Sequence, residues 1–273
     1  MNIGGVNIET IDIITFVGIL ITFLTGVLNL FQNKKSLYIN NITKYRVIWI
    51  TTFRGHIATL RELSNLTNLY IRTKEGVNKI TYRRELDKVV SLIKMYLNFN
   101  GKLDNMLISN IEYLRSIINS YLLMYYYIDS IEPLENETEI FEKFNEIIDI
   151  TAERVLLQEL LNIAKEHKRI DNIENCSNTT LLDLKNKVKI AYMSDCNLIK
   201  EVINDSVYII NKWEATIENL NYEIDEIVQI YLKAEWIRCK VETRMWPFNR
   251  YNEEKVREKL QKSYKNNKWR IMK

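Results

Sequence analysis

From Ile13 to Phe31 the chain reads IITFVGILITFLTGVLNLF, with no charged side chain among nineteen residues. As a helix rising about 1.5 Å per residue this run extends roughly 28 Å, the thickness of a bilayer's hydrocarbon. A lone segment in lipid has to satisfy its own amides, which leaves a helix as its only form. The flanks differ in sign: Glu9 and Asp12 precede the run, whereas Lys34, Lys35, Lys44 and Arg46 follow it. Basic flanks stay in the cytoplasm. The sequence therefore predicts a single-pass anchor with its N-terminus outside and the rest of the chain inside. A cleaved signal peptide would want basic residues before the run, a shorter core and a small-residue cleavage site after it, and all three are missing. A buried core helix is the other reading; so long an uncharged run in a chain that is 27% charged argues against it.

Only seven Gly and two Pro occur in 273 residues, while Leu, Ile, Glu, Lys and Asn abound, so the chain has few places to turn. The expected fold is all-α: an N-terminal transmembrane helix followed by a cytosolic bundle of long antiparallel helices. This divides the chain into an extracytoplasmic N-terminus (1–12), a transmembrane helix (13–31), a cytosolic helical domain (32–249) and a basic C-terminal tail (250–273). Apolar residues at three- and four-residue steps predict helices from Thr43 to about Arg72, Lys79 to Asn98 and Asp104 to Ile131, the last closed by Pro133. An acidic helix follows from about Glu137 to His167, then a loop over Asp171–Thr179. Next come a helix from Thr180 to Trp213 with a break near Asp195, one from Ile217 to Arg244 closed by Pro247, and a basic helix from Asn252 to Ile271. No β-sheet is needed. Of the adjacent Tyr125, Tyr126 and Tyr127, at least one is expected at a surface or interface.

Charge is uneven although the formal total is +3. Lys34 to Ile128 carries fifteen basic and six acidic side chains, Asp129 to Glu153 nine acidic and one basic, and Arg250 to Lys273 nine basic and three acidic. The tail interleaves Arg250, Lys255, Arg257, Lys259, Lys262, Lys265, Lys268, Trp269 and Arg270 with further aromatics, Trp246, Phe248, Tyr251 and Tyr264. Basic side chains with aromatics suit anionic lipid headgroups or nucleic acid. Lipid is favoured, because the anchor already holds the tail near a leaflet that attracts cations.

Chemistry needs convergent groups, and the sequence offers few. His56 and His167 are far apart, no Cys or His cluster has zinc spacing, and the glycines form no phosphate loop. Cys176, Cys196 and Cys239 read as free thiols on helices. Acidic pairs such as Glu135 with Glu139 or Glu142 with Glu146 read as solvated faces. No catalytic residue, metal site or cofactor is expected, so an enzyme is the least supported class. In the apolar run, Gly18, Thr22 and Gly26 recur every four residues and form a small-residue groove that lets two helices approach, which predicts a homo-oligomer through this helix.

Three short stretches carry a resemblance. Thr43, Arg46, Trp49 and Ile50, followed by Phe53-Arg54, resemble a Thr-x-x-Arg-x-x-Trp-Ile pattern of bacterial proteins of unassigned activity that carry one N-terminal spanning helix. Tyr96-Leu97-Asn98 is similar to their Tyr-Leu-Asn-Pro signature, with Phe99 in place of the proline. Lys233 to Glu242 is similar to their Lys-x-Glu-Trp-x-Arg-x-Lys-x-Glu helix, with Cys239 in place of an aliphatic residue. The resemblance implies a single-pass protein of the bacterial inner membrane and no particular activity. The Trp49 and Trp236 helices read as antiparallel partners, with Arg46 or Arg54 facing Glu235 and Glu242 and with Arg238 beside them. The functional expectation is a membrane-anchored interaction protein, a scaffold or accessory component that binds a protein partner its motifs do not name. A narrower version is an effector in a bacterial defence system. The rival is a membrane-tethered nucleic-acid binder using the tail.

Overall fold

The structure, a computed structural model, describes 2–3, 6–7, 10–74, 79–98, 101–166, 179–193, 195–242 and 250–271, apart from the side chains of 2–10, 38–39, 72–74, 79–80 and 264–271. The fold is all-helical apart from a two-rung antiparallel ladder at the N-terminus, β1 (Asn2–Ile3) with β2 (Val6–Asn7), where Asn2 faces Asn7 and Ile3 faces Val6. Cys176, His167, Trp246, Phe248, Pro247 and nearly all of the expected loop 171–179 lie outside the described residues.

Helix α1 (Thr10–Tyr38) contains the apolar run and extends beyond it at both ends. A single π-helical turn, Ile39–Thr43, leads into α2 (Lys44–Leu63). This stretch, Ile11–Leu63, is the one among the described residues long and apolar enough to cross a membrane, and none of its most apolar window is buried. Its hydroxyls need no water: Thr15, Thr22 and Thr25 donate to the carbonyls of Ile11, Gly18 and Ile21, each at 2.8 Å.

Several expected boundaries move, each for a local reason. The helix expected from Thr43 to Arg72 is cut at Ser64–Asn65, where the Asn65 carboxamide oxygen accepts from the Asn68 amide at 3.2 Å and caps α3 (Leu66–Lys74). Helix α4 (Lys79–Met95) stops short of Asn98, whose amide donates to Asp104 Oδ1 at 3.0 Å in the first turn of α5 (Lys102–Ile131). A Cβ at Gly101 would lie 1.9 Å from Asp104 Oδ2, which explains the glycine. The acidic helix is two, α6 (Glu137–Ile150) and α7 (Arg154–Glu166). Thr151 turns to an extended backbone between them while its hydroxyl donates to Ile147 O at 2.7 Å. Helix α8 (Leu181–Tyr192) opens on a Thr180–Asp183 capping box. Asp195 then caps α9 (Cys196–Glu242), accepting from the amides of Asn197 and Leu198. The separation expected between Trp213 and Ile217 is absent: both are buried four residues apart, and the apolar stripe runs on through Leu220 and Ile224. The last helix is α10 (Glu253–Ile271).

The chain divides into two compact units, one comprising Met1–Thr52 with Ile230–Lys273 and the other Phe53–Gln229. The second holds most of the core. Phe144 packs between Tyr127, edge-on at 6.1 Å, and Tyr192 at 5.0 Å. Both phenols donate to carbonyls, Tyr127 to Ile199 at 2.8 Å and Tyr192 to Leu160 at 2.7 Å, and burial pushes both well above the ordinary tyrosine range. Tyr125 meets the Tyr121 ring at 5.1 Å and Tyr126 lies under Lys143, both half-buried. Within this unit the end of α2 runs antiparallel to α9: Arg61 pairs with Asp225 at 3.3 Å, and the buried Ser64 hydroxyl donates to Asn221 Oδ1 at 2.7 Å.

Glu153, at the kink between α6 and α7, is buried and accepts from Arg83 at 3.1 Å, Asn119 at 3.1 Å and Ser116 at 2.9 Å. It ties α4 and α5 to the start of α7. Glu153→Leu keeps the volume but strands these donors, and should lower stability by about 2–4 kcal/mol. A urea midpoint equal to that of the wild type would contradict this role.

Candidate functional site

In the first unit the start of α2, the end of α9 and the start of α10 meet in a cluster of charges and rings. Residues 235, 238 and 242 fall on one face of α9, spaced three and four apart. Arg46 of α2 reaches across to this face, pairing with Glu242 and lying 3.8 Å from Glu235. Arg238 binds Glu242 at 2.9 Å and lies 3.9 Å from Glu235 and 4.0 Å from Glu253 of α10. Arg257 completes the set with Glu253 at 2.6 Å. Three arginines thus meet three glutamates.

Aromatic rings floor the cluster. Trp49 meets Tyr231 at 5.9 Å, and the Arg257 guanidinium lies 5.0 Å from the same Tyr231 ring. Arg238 lies over Tyr251 at 5.7 Å, and the Tyr251 hydroxyl donates to Ala234 O at 3.1 Å. Arg46 faces residues near 238 while Trp49 faces 231, so in this unit α2 and α9 run antiparallel.

Burial sets the electrostatics. It pushes the Glu235 carboxyl above its ordinary value, against the opposing pull of Arg238 and Arg46. The Cys239 thiol is likewise pushed up by burial, with Arg46 pulling the other way. Tyr251 is pushed up to about 12 by burial and then by Glu235 and Glu253. A raised thiol and a raised phenol are poor nucleophiles. The arrangement holds helices together.

The sequence-named residues divide in three. Arg46, Trp49, Glu235 and Arg238 come together. Trp236 does not join them: it is 46% exposed on the far side of α9, with Lys240 Nζ 5.6 Å over its ring, while Arg54 is exposed on α2. In the tail, Arg250, Lys255, Lys259 and Lys262 are exposed, whereas Arg257 is half-buried and engaged by Glu253 and Tyr231. The side chains of Lys265, Lys268, Trp269 and Arg270 lie outside the described residues. Gly18, Thr22 and Gly26 are exposed along α1, a Cβ at either glycine meets nothing within 4 Å, and a shallow groove runs over Thr15, Gly18 and Thr22. Tyr231 and Glu253 complete the cluster without having been named as site residues from the sequence, and Tyr251, expected among the aromatics of the tail surface, packs into the cluster instead. Tyr231, one turn before Glu235, carried a signal; for Glu253, acidic in a basic tail, the signal was its contrast with its neighbours. Among the described residues no three His, Cys, Asp or Glu side chains converge as a metal site. Comparison with protein-family models, with curated proteins and with solved structures finds no match.

With its pKa raised, Glu235 binds its proton more tightly in the folded chain than in the unfolded one. The stability this contributes is complete below the ordinary value of 4.5 and is lost as pH rises through the folded value. Glu235→Gln lacks this dependence. Its stability relative to the wild type should therefore rise between about pH 4 and pH 7. Urea midpoints that run parallel across that range would contradict the assignment.

Proposed function

We propose that this chain is a non-enzymatic, single-pass membrane protein of the bacterial inner membrane. In this reading α1 crosses with its N-terminus outside, and the helical remainder stays in the cytoplasm as an interaction domain, a scaffold or accessory component. The observation that carries it is the bareness of α1. Ile14, Phe16, Ile19 and Phe23 are each more than 60% exposed, and Leu28, Leu30 and Phe31 more than half, while the helix's threonine hydroxyls are satisfied internally. Water is a poor solvent for such a surface, and hydrocarbon is a good one. Lys34 and Lys35 at its exit support the cytoplasmic direction. A narrower version, an effector in a bacterial defence system, rests on how small anchored proteins of this kind are deployed and on no residue of this chain. The full chain should remain in the membrane pellet after alkaline carbonate washing and require detergent for release. Recovery in the carbonate supernatant would remove the reading.

The exposed lysines of α10 supply the site of lipid contact and also favour the second reading. Lys255, Lys259 and Lys262 lie four and three residues apart on one exposed face, while Arg257 turns inward. Near an anionic leaflet each lysine contributes about 1 kcal/mol. Reversing all three to Glu should weaken capture of the detergent-solubilised chain by phosphatidylglycerol-coated beads by about 10-fold or more. Unchanged capture would remove lipid from the reading. Retention on DNA or RNA that falls steeply with salt would favour nucleic acid instead.

A further inference from the structure

The stretch between the apolar helix and the charge cluster is built unlike either. Ile39–Thr43 is a π-helical turn, which holds one residue more than an α-helical turn and is rare outside functional sites. Its sequence, Ile-Asn-Asn-Ile-Thr, is made of weak helix formers, and asparagine side chains compete for the backbone's own hydrogen bonds. Asn40, Asn41 and Ile42 are exposed, and the Asn40 carboxamide donates to Ser36 Oγ at 3.4 Å, within the same helix. On one side of the turn α1 is uncovered. On the other, Arg46 and Trp49 fasten α2 to α9, beginning three residues after Thr43. The weakest piece of helix in this stretch thus separates a bare rod from a clamped one.

The direction of α10 gives that weakness a use. Glu253 meets Arg238 and Arg257 meets Tyr231, so α10 runs antiparallel to α9 and in the same sense as α2, which leads away from α1. Arg46 lies fifteen residues past Phe31, about 22 Å along a straight helix. Headgroups extend only about 5–7 Å beyond the hydrocarbon, and the field of an anionic leaflet decays over about 8 Å. Lys255, between Glu253 and Arg257, is level with Arg46 and Trp49; held upright it stands about two decay lengths outside the headgroups, and Lys259 and Lys262 stand farther out. We propose that the π-turn is a hinge on which the lysine face of α10 swings between the cytoplasm and the anionic leaflet. The inference rests on the membrane reading and the lipid contact above, and adds how that contact is reached. A bend at Ile39–Thr43 lowers α10 without disturbing the cluster, because Arg46, Glu235, Arg238, Glu242, Glu253 and Arg257 all lie beyond the turn and move as one body.

The test uses the full chain reconstituted in vesicles of phosphatidylcholine alone or mixed with an equal part of phosphatidylglycerol. A donor fluorophore is incorporated at the exposed Ser263, and the vesicles carry an acceptor-labelled lipid. Energy transfer in the wild type should be greater in the mixed vesicles than in phosphatidylcholine. Deleting Asn40 turns the π-turn into an α-helical one; it should abolish that gain and slow amide exchange across residues 39–46 by about 10-fold. Asn40→Gly with Asn41→Gly should keep the gain. None of the most apolar window of α1 is buried, so the rotation of α1 that the deletion brings leaves the cluster intact, and capture of the solubilised deletion variant by phosphatidylglycerol-coated beads should equal that of the wild type. A deletion variant with the wild type's gain in transfer overturns the hinge. Equal wild-type transfer in the two vesicles, with bead capture intact, overturns the swing and leaves the lipid contact standing. Failure of bead capture overturns the lipid contact and loss of the chain on carbonate washing overturns the membrane reading, and the hinge's role falls with either.

Discussion

An apolar helix that its own chain leaves uncovered has to find a solvent other than water. The thirteen large side chains from Ile11 to Phe31 that stand exposed on α1 would each stabilise the protein by about 1.5–3 kcal/mol on transfer to an apolar medium, a total on the order of 20–40 kcal/mol. That exceeds the whole net stability of an ordinary domain, about 5–15 kcal/mol. No adjustment of loops or rotamers could offset it, so the environment of α1 decides how the remainder is to be understood. Its hydroxyls are already turned onto its own backbone, as a helix in hydrocarbon requires.

The first unit sorts its cations by chemistry. Arg46, Arg238 and Arg257 sit inside the cluster with Glu235, Glu242 and Glu253, where a planar fork can serve two carboxylates at once and lie flat on Tyr231 or Tyr251. Lys44, Lys233, Lys240, Lys255, Lys259 and Lys262 sit outside, where a strongly hydrated ammonium is best placed. Because Glu235, Glu242 and Glu253 are spent on the arginines, the outward charge around the cluster is that of these lysines and Arg250, set against Glu254 and Glu258. A formal total of +3 for the chain conceals this, since the acidic segment Asp129 to Glu153 belongs to the other unit.

Most of the helices were legible, because apolar spacing reports which side of a helix is buried wherever that side is continuous, and the antiparallel sense of α2 against α9 was expected from the charges beside Trp49 and Trp236, although Trp236 takes no part in the contact. The Arg46 contacts were legible for a related reason: Glu235, Arg238 and Glu242 share a face with buried neighbours and need a cation opposite. Periodicity failed at the interruptions. Thr151 and Glu153 fit the phase of an unbroken helix, yet Glu153 is turned onto donors from α4 and α5, and only the tertiary contact reveals that the chain kinks there. Ser64 and Asn65 are ordinary polar residues until one is seen buried against Asn221 and the other capping α3. Between Trp213 and Ile217 the error ran the other way, since Glu214, Ala215 and Thr216 resemble a connection but belong to a continuous helix, in which Glu214 accepts from the Tyr121 hydroxyl at 3.0 Å. The fate of Arg257 was legible in part, since Glu253 lies four residues before it, whereas the ring beneath it lies twenty-six residues earlier in the chain.

Glu153 and Glu235 show two ways of burying a carboxylate, with different consequences. Glu153 is met by short contacts from a guanidinium, a carboxamide and a hydroxyl, all within 3.1 Å, so hydrogen bonds replace the water it gives up. The guanidiniums near Glu235 are 3.8 and 3.9 Å away and are drawn more closely to Glu242, so their attraction does not fully offset the loss of solvation and its carboxyl is pushed up. A carboxylate held in this manner is a weak fastening. Acidification favours its neutral form, and Arg46 and Arg238 keep their closer contacts with Glu242. The cluster thus tolerates a proton on Glu235, because all three guanidiniums still have a carboxylate to bind, Arg46 and Arg238 at Glu242 and Arg257 at Glu253.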